Sequence, residues 1–170
     1  MTTEDFILTI TLIATALSAG LFYSYACSVN PGLGKLSDQH YLGAMQSINR
    51  SILNPVFFAS FMGTLILLPI SAWLQYRTGI SLIAHLLLAA AVTYAIGVFG
   101  VTIFGNVPLN EALDKFDLHT ASAADMAAWR TGFELPWNRL NTIRTVAAIV
   151  SLVLAVVACI YRPESTAAGK

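Results

Sequence analysis

Four stretches of the chain contain no Asp, Glu, Lys or Arg: Phe6 to Gly34, Ser51 to Tyr76, Thr78 to Asn110 and Thr145 to Tyr161. A helix that crosses a bilayer needs ~20 mostly apolar residues. Three stretches are long enough alone, and the fourth is long enough once Arg144 is counted with its helix. The pattern predicts an all-α integral membrane four-helix bundle with short amphipathic helices between helices one and two and between three and four. Its spans are expected at about 6–28, 55–76, 81–104 and 137–161, in a single domain over 1–162 with a disordered tail at 163–170. The first stretch follows "MTTED", which has acids and no basic region, and it is too long for a signal-peptide core. It is therefore expected to be a retained helix.

Between the spans, Ser37 is a plausible N-cap, and Tyr41, Met45, Ile48 and Ile52 recur at helical spacing, so "SDQHYLGAMQSINRSIL" is expected to form an amphipathic helix. "NPGLG" is expected to stop helix one, and Pro55 to open helix two, which Pro69 should kink. Pro108 can open a short helix "PLNEALDKF". Ser122 with Asp125 resembles a capping box opening another, "AADMAAWRT", which Gly132 should end. Ser18, Ala19 and Gly20 in the first span, and Gly97 and Gly100 in the third, permit close helix packing within the bundle or in a homodimer. Gly105 reads as a C-terminal stop.

Composition agrees on the solvent. The chain is 56% hydrophobic and 11% charged, with mean hydropathy +0.70, against roughly 25% charged residues in soluble domains. Nine basic and nine acidic residues leave no net charge, and no basic stripe exists to neutralise phosphates, so nucleic acid is excluded as a partner. The expected partners are the lipid bilayer and a small ligand. Cys27 and Cys159 lie inside apolar stretches and read as small buried hydrophobes. Four spans would put both termini on one side, with Arg77, Arg162 and Lys170. The opposite side would hold Lys35, Arg50, Lys115, Arg130, Arg139 and Arg144 and, by the positive-inside rule, face the cytoplasm. Orientation stays open, because Arg144 is itself a functional candidate.

Arg144 belongs to a stripe. Trp137, Asn138, Asn141, Arg144 and Thr145 recur every three to four residues, so they share a helix face at the edge of the apolar layer. A charge at membrane depth costs ~3 kcal/mol or more unless paired or hydrated, and such residues often mark sites. Asn106 and Asn110 flank Pro108; "SINRSILNP" supplies Asn49, Arg50 and Asn54; "GLFYSYACSVNPGL" supplies Tyr25 and Asn30. Topology alone brings these groups to one end of the bundle. Trp129, Trp137, Tyr25 and Phe57 could stack on a flat ring, amides could bind its oxygens, and Arg144 could stabilise an enolate or phenolate. His40 is the general-base candidate at that end, His119 is expected to be solvated, and His85 to bond a neighbouring helix. Glu111, Asp114 and Asp117 read as a solvated helix face, and no His-containing ligand spacing points to a metal, haem or di-iron centre. The bland alternatives are an interfacial aromatic belt, Asn caps and helix-locking amides.

Taken together, "GLFYSYACSVNPGL", "MQSINRSILNP", "NVPLNEAL", Trp129 and "WNRLNTIRT" resemble the anthrone-oxygenase-like family of small membrane proteins, whose bacterial members are largely of unassigned function. The resemblance runs from about residue 15 to about residue 155. It implies oxygenation of an anthrone-type polycyclic aromatic to its anthraquinone without metal or flavin, and a bacterial inner membrane as location. By that resemblance Asn138, Asn141 and Arg144 would stabilise the anion, Trp129 and Trp137 would form the ring platform, Asn106 and Asn110 would be further donors, and His40 would be the base. Three readings stand at this point: a cofactor-free oxygenase, a non-catalytic binder or subunit for a quinone-like or lipid ligand, and a structural partner whose polar stripe only packs helices.

Overall fold

The computed structural model describes residues 2–79 and 81–161; the tail read as disordered lies outside the described residues. Among the described residues five helices form: α1 (Thr3–Leu33), α2 (Asp38–Ser51), α3 (Pro55–Arg77), α4 (Leu82–Asp114) and α5 (Ala123–Ile160). All but α2 are long and apolar enough to cross a membrane. Local chemistry starts them. Thr2 and Asp5 form a capping box on α1, Ser122 and Asp125 another on α5, and the Asn54 side chain accepts from the Phe57 N–H with Pro55 in the first turn of α3.

Neighbouring spans run antiparallel around a closed ring. Thr11 bonds Ser71 at 2.8 Å between α1 and α3, the Tyr94 hydroxyl donates to the Phe61 carbonyl between α4 and α3, and Ser151 donates to the Ala90 carbonyl between α5 and α4. Thr145 on α5 reaches the Phe22 carbonyl on α1 and closes the ring. Inside lie Phe22, Phe61, Leu68, Leu87, Tyr94, Val98 and a column of alanines on α5. Outside, residues such as Leu17 (61% exposed), Ile96 (69%) and Val146 (57%) present an apolar surface to lipid. The chain is an integral membrane protein. Cys27 and Cys159 are free thiols on this outer surface, not core residues, and His85 is exposed and makes no side-chain hydrogen bond among the described residues.

α1 stops within "NPGLG" as expected, at Leu33 with Gly34 as its cap, though it continues past Ser28 through a π-helical turn at Tyr25–Val29; other expected stops do not stop, and α4 runs through Gly105 and Pro108 with π-helical turns at Ala95–Gly100 and Thr102–Asn106. A π turn already shifts the hydrogen-bond ladder by one residue, so a proline placed just after it removes a donor where the regular pattern is interrupted anyway. Gly105 packs against α5 instead: a Cβ there would sit 2.9 Å from Leu140 Cδ2, at the end of a flexible side chain. α5 likewise passes Gly132. Gly132 and Pro136 are four residues apart and both exposed, so solvent can take the carbonyl that Pro136 leaves without a donor.

Helix length then shapes the molecule. The 38 residues of α5 span roughly 57 Å, about twice the ~30 Å hydrocarbon layer. The ends of α4 and α5 therefore protrude together, and α2 lies against them. Tyr41, Leu42 and Met45 of α2 pack with Leu113, Phe133 and Trp137 into a second core above the first. Arg130 fastens this cap: it donates to the Gly34 and Leu36 carbonyls, to Asp38 and to Glu134, and lies over the Tyr41 ring.

Candidate functional site

A cavity of about 330 Å³ lies between the two cores, within the range of small-molecule sites. Its walls are mostly rings and aliphatic chains: Phe22 and Tyr25 from α1, Phe57 and Phe61 from α3, Ile103 from α4 and Trp137 from α5. Phe57 and Phe61 stack at 5.0 Å between centroids, and Tyr25 meets Trp137 at 5.8 Å. Beside the cavity, the π-helical half of α4 packs against α5. At Gly97 a Cβ would fall 2.5 Å from the Ala147 Cβ, so only glycine permits that approach.

Polar groups converge on this apolar space. Arg144 is 7% exposed; its Nη2 donates to Asn141 Oδ1 at 3.1 Å and its Nη1 lies 3.4 Å from Thr102 Oγ1. The guanidinium sits over the rings of Phe22 (4.7 Å) and Trp137 (5.4 Å), contacts that partly replace its lost hydration. No carboxylate pairs with it among the described residues. Asn141 Nδ2 points to the Phe22 carbonyl at 3.5 Å, which Thr145 also reaches. Trp137 Nε1 donates to Asn110 Oδ1 at 2.9 Å.

Other polar atoms at the cavity have no partner. Both side-chain atoms of Asn106, Asn49 Nδ2 and Arg144 Nε are buried and unpaired among the described residues. Each buried polar atom left so costs about 1–3 kcal/mol unless something supplies the missing bond. Their concentration around one cavity marks where a polar ligand atom would be held.

The structure divides the candidates of the sequence reading. Tyr25, Asn49, Asn106, Asn110, Trp137, Asn141 and Arg144 line the cavity. Four others do not. Asn138 is half-buried beside it with an unpaired Oδ1, because the helix face that carries Trp137, Asn141 and Arg144 excludes it. Asn54 is consumed as the α3 cap. Trp129 packs on Phe116 at 4.9 Å in the cap, two turns before Trp137. His40 bonds Ser37 at 2.9 Å on the outer edge of α2 and touches a different hollow. Of the acidic residues read as a solvated face, Asp114 pairs with Arg50 at 2.5 Å. Asp117 accepts from the His119 N–H and from Thr120, which holds its carboxyl below the usual range. Glu111 lines the cavity rim, as do Asp114 and its partner Arg50, but Glu111 has no ion-pair partner among the described residues. Phe22, Phe61 and Thr102 escape sequence reasoning altogether, since nothing distinguishes them there from other span residues.

The model of the anthrone oxygenase family matches residues 56–154. The chain belongs to this family. The match contains α3, α4 and most of α5, and with them Phe57, Phe61, Asn106, Asn110, Trp137, Asn141 and Arg144; the contributions of Phe22, Tyr25 and Asn49 come from outside it. Comparisons with curated proteins and with solved structures found no match. The protein is thus an anthrone-oxygenase-like membrane protein.

Proposed function

We propose that the cavity binds a lipophilic polycyclic aromatic of the anthrone type and oxygenates its central methylene carbon to the carbonyl. The observation that carries this reading is the combination at one cavity of flat aromatic walls, a buried Arg144 without a carboxylate, and amide atoms without partners. The net change converts R₂CH₂ and O₂ into R₂C=O and H₂O. A base removes a methylene proton, and the electron pair spreads onto the ring oxygen, where Arg144, Asn141 and Asn106 supply donors in a water-poor site. The electron-rich anion reduces O₂ and forms a C–O bond to give a peroxide. Loss of the second hydrogen breaks the O–O bond, leaving the ketone and releasing the other oxygen as water.

His40 lies away from the cavity, so we assign the base to Glu111. Its carboxylate lines the rim and has no hydrogen-bond or ion-pair partner among the described residues, whereas Asp114 is held by Arg50. One observation favours a second reading: Glu111 is exposed at the rim and not enclosed with the substrate. A non-catalytic quinone carrier would need no base and would bind without consuming oxygen.

The test is oxygen uptake and quinone absorbance with an anthrone, using protein in lipid vesicles with a chelator present. Uptake above autoxidation in wild type, absent in Arg144→Ala and reduced in Glu111→Gln, supports the oxygenase. Saturable binding without uptake supports the carrier, and neither one sinks both. As location we propose a bacterial inner membrane, with the start of α1 and the end of α5 on one side and the cap, which carries Lys35, Arg50, Lys115 and Arg130, in the cytoplasm.

A further inference from the structure

The two rims of the cavity differ in kind. Toward water, α2 is tied to the end of α4: Gln46 Nε2 donates to the Leu113 and Phe116 carbonyls, both at 2.8 Å, and Arg50 pairs with Asp114 at 2.5 Å. Directly below, the Trp137–Asn110 hydrogen bond links α5 to α4. Toward lipid, the rim is formed by Leu53 (66% exposed) just before α3, Phe58 (42%) in its first turn and Ile103 (40%) on the π-helical half of α4. Above the Tyr94–Phe61 hydrogen bond, no hydrogen bond or ion pair among the described residues joins α3 to α4. α4 makes its close backbone approaches there to α5, at Gly97 and Gly105, and meets α3 through apolar side chains such as Phe99 on Phe61 at 5.8 Å.

We infer that the ligand exchanges sideways, through the bilayer-facing gap between α3 and α4, and that the α2–α4 junction is a fixed roof. Separating α2 from α4 would break several polar bonds at once. Parting Leu53 and Phe58 from Ile103 breaks none and exposes only apolar surface to an apolar solvent. A polycyclic aromatic is also concentrated in the bilayer by the hydrophobic effect, so the lipid side is where it arrives. The inference rests on the reading of the cavity as a site for a lipophilic aromatic.

Trp137 reports on the cavity, and Trp73→Phe with Trp129→Phe leaves it as the sole tryptophan. In this background, in vesicles of phosphatidylcholine and phosphatidylglycerol, the rate at which added anthraquinone quenches Trp137 is followed by stopped flow. Narrowing the gap with Leu53→Phe and Ile103→Phe is expected to slow quenching by about tenfold or more, the effect of raising a barrier by roughly 1.4 kcal/mol. Widening it with Leu53→Ala and Ile103→Ala is expected to speed quenching, which keeps the test decisive if the narrowed protein does not fold. Loosening the roof with Arg50→Ala and Asp114→Ala is expected to give no acceleration. Faster quenching in the loosened roof, with rates indifferent to the width of the gap, overturns the lateral route while leaving the cavity as a binding site. Absence of quenching in every variant, wild-type cavity included, overturns the ligand reading and the route together.

Discussion

Asn106 and Asn141 are both 1% exposed, yet their burial has different consequences. Asn141 receives Arg144 and reaches the Phe22 carbonyl, so its amide joins α5 to α1; neither amide atom of Asn106 has a partner. Asn141→Leu is expected to lower stability by about 1–3 kcal/mol, because the Arg144 donor and the Phe22 carbonyl lose a bond. Asn106→Leu should leave the melting temperature unchanged or raise it, since it removes only unpaired groups. Thermal unfolding in detergent checks both, and an equal loss at the two positions would make Asn106 a packing residue. This distinction is not legible in the sequence. Helical spacing rightly puts Trp137, Asn141 and Arg144 on one face, but whether an amide is partnered depends on carbonyls of other helices.

Among the elements, α4 is the unusual one, with its two π-helical turns and its glycines against α5. At Gly97 a Cβ would meet the Ala147 Cβ at 2.5 Å, a contact only backbone movement can relieve; at Gly105 it would meet the end of the flexible Leu140 side chain. Gly97→Ala is therefore expected to destabilise by about 1–3 kcal/mol, with partial rescue by Ala147→Gly, and Gly105→Ala to cost less. Denaturant titration in detergent measures both; equal effects would mean that α4 is not held against α5 as described. The helix-packing role of Gly97 can be read from its place in an apolar stretch. The role of Gly105 cannot, because a glycine before Asn and Pro looks like a stop until the π turn and Leu140 are seen. Gly132 misleads in the same way.

The cap element gives a pH dependence. Burial first, and then Glu134, raise the Tyr41 phenol above its ordinary value of 10.0, against a smaller lowering by Arg130. A raised folded-state value means that the stability contributed by the buried neutral phenol is complete below pH ~10 and is lost as pH climbs through the raised value. Melting temperature should accordingly fall more steeply above pH ~10 in wild type than in Tyr41→Phe. Identical profiles would show that Tyr41 does not titrate against folding. The amphipathic repeat alone identifies Tyr41 and Met45 as the inward face of α2, since helical spacing needs no tertiary information. What covers them is hidden in the sequence, because the protruding ends of α4 and α5 look there like separate short helices.

At the scale of the whole molecule, a cavity lies between a membrane core and a cap, and four buried polar atoms facing it, both of Asn106, Asn49 Nδ2 and Arg144 Nε, have no partner among the described residues. Binding energy from a ligand oxygen would offset their burial, and a bound ligand should raise the melting temperature as its concentration passes the Kd. The most direct measurement is anthraquinone binding by wild type and by Asn106→Leu in lipid vesicles, with stability followed in parallel. Saturable binding by wild type, weakened about tenfold in Asn106→Leu as the loss of roughly 1.4 kcal/mol requires, with no loss of melting temperature, is the expected result. Unsaturable partitioning in both proteins, or equal affinity accompanied by a destabilised Asn106→Leu, would contradict the account and return the polar groups to a packing role.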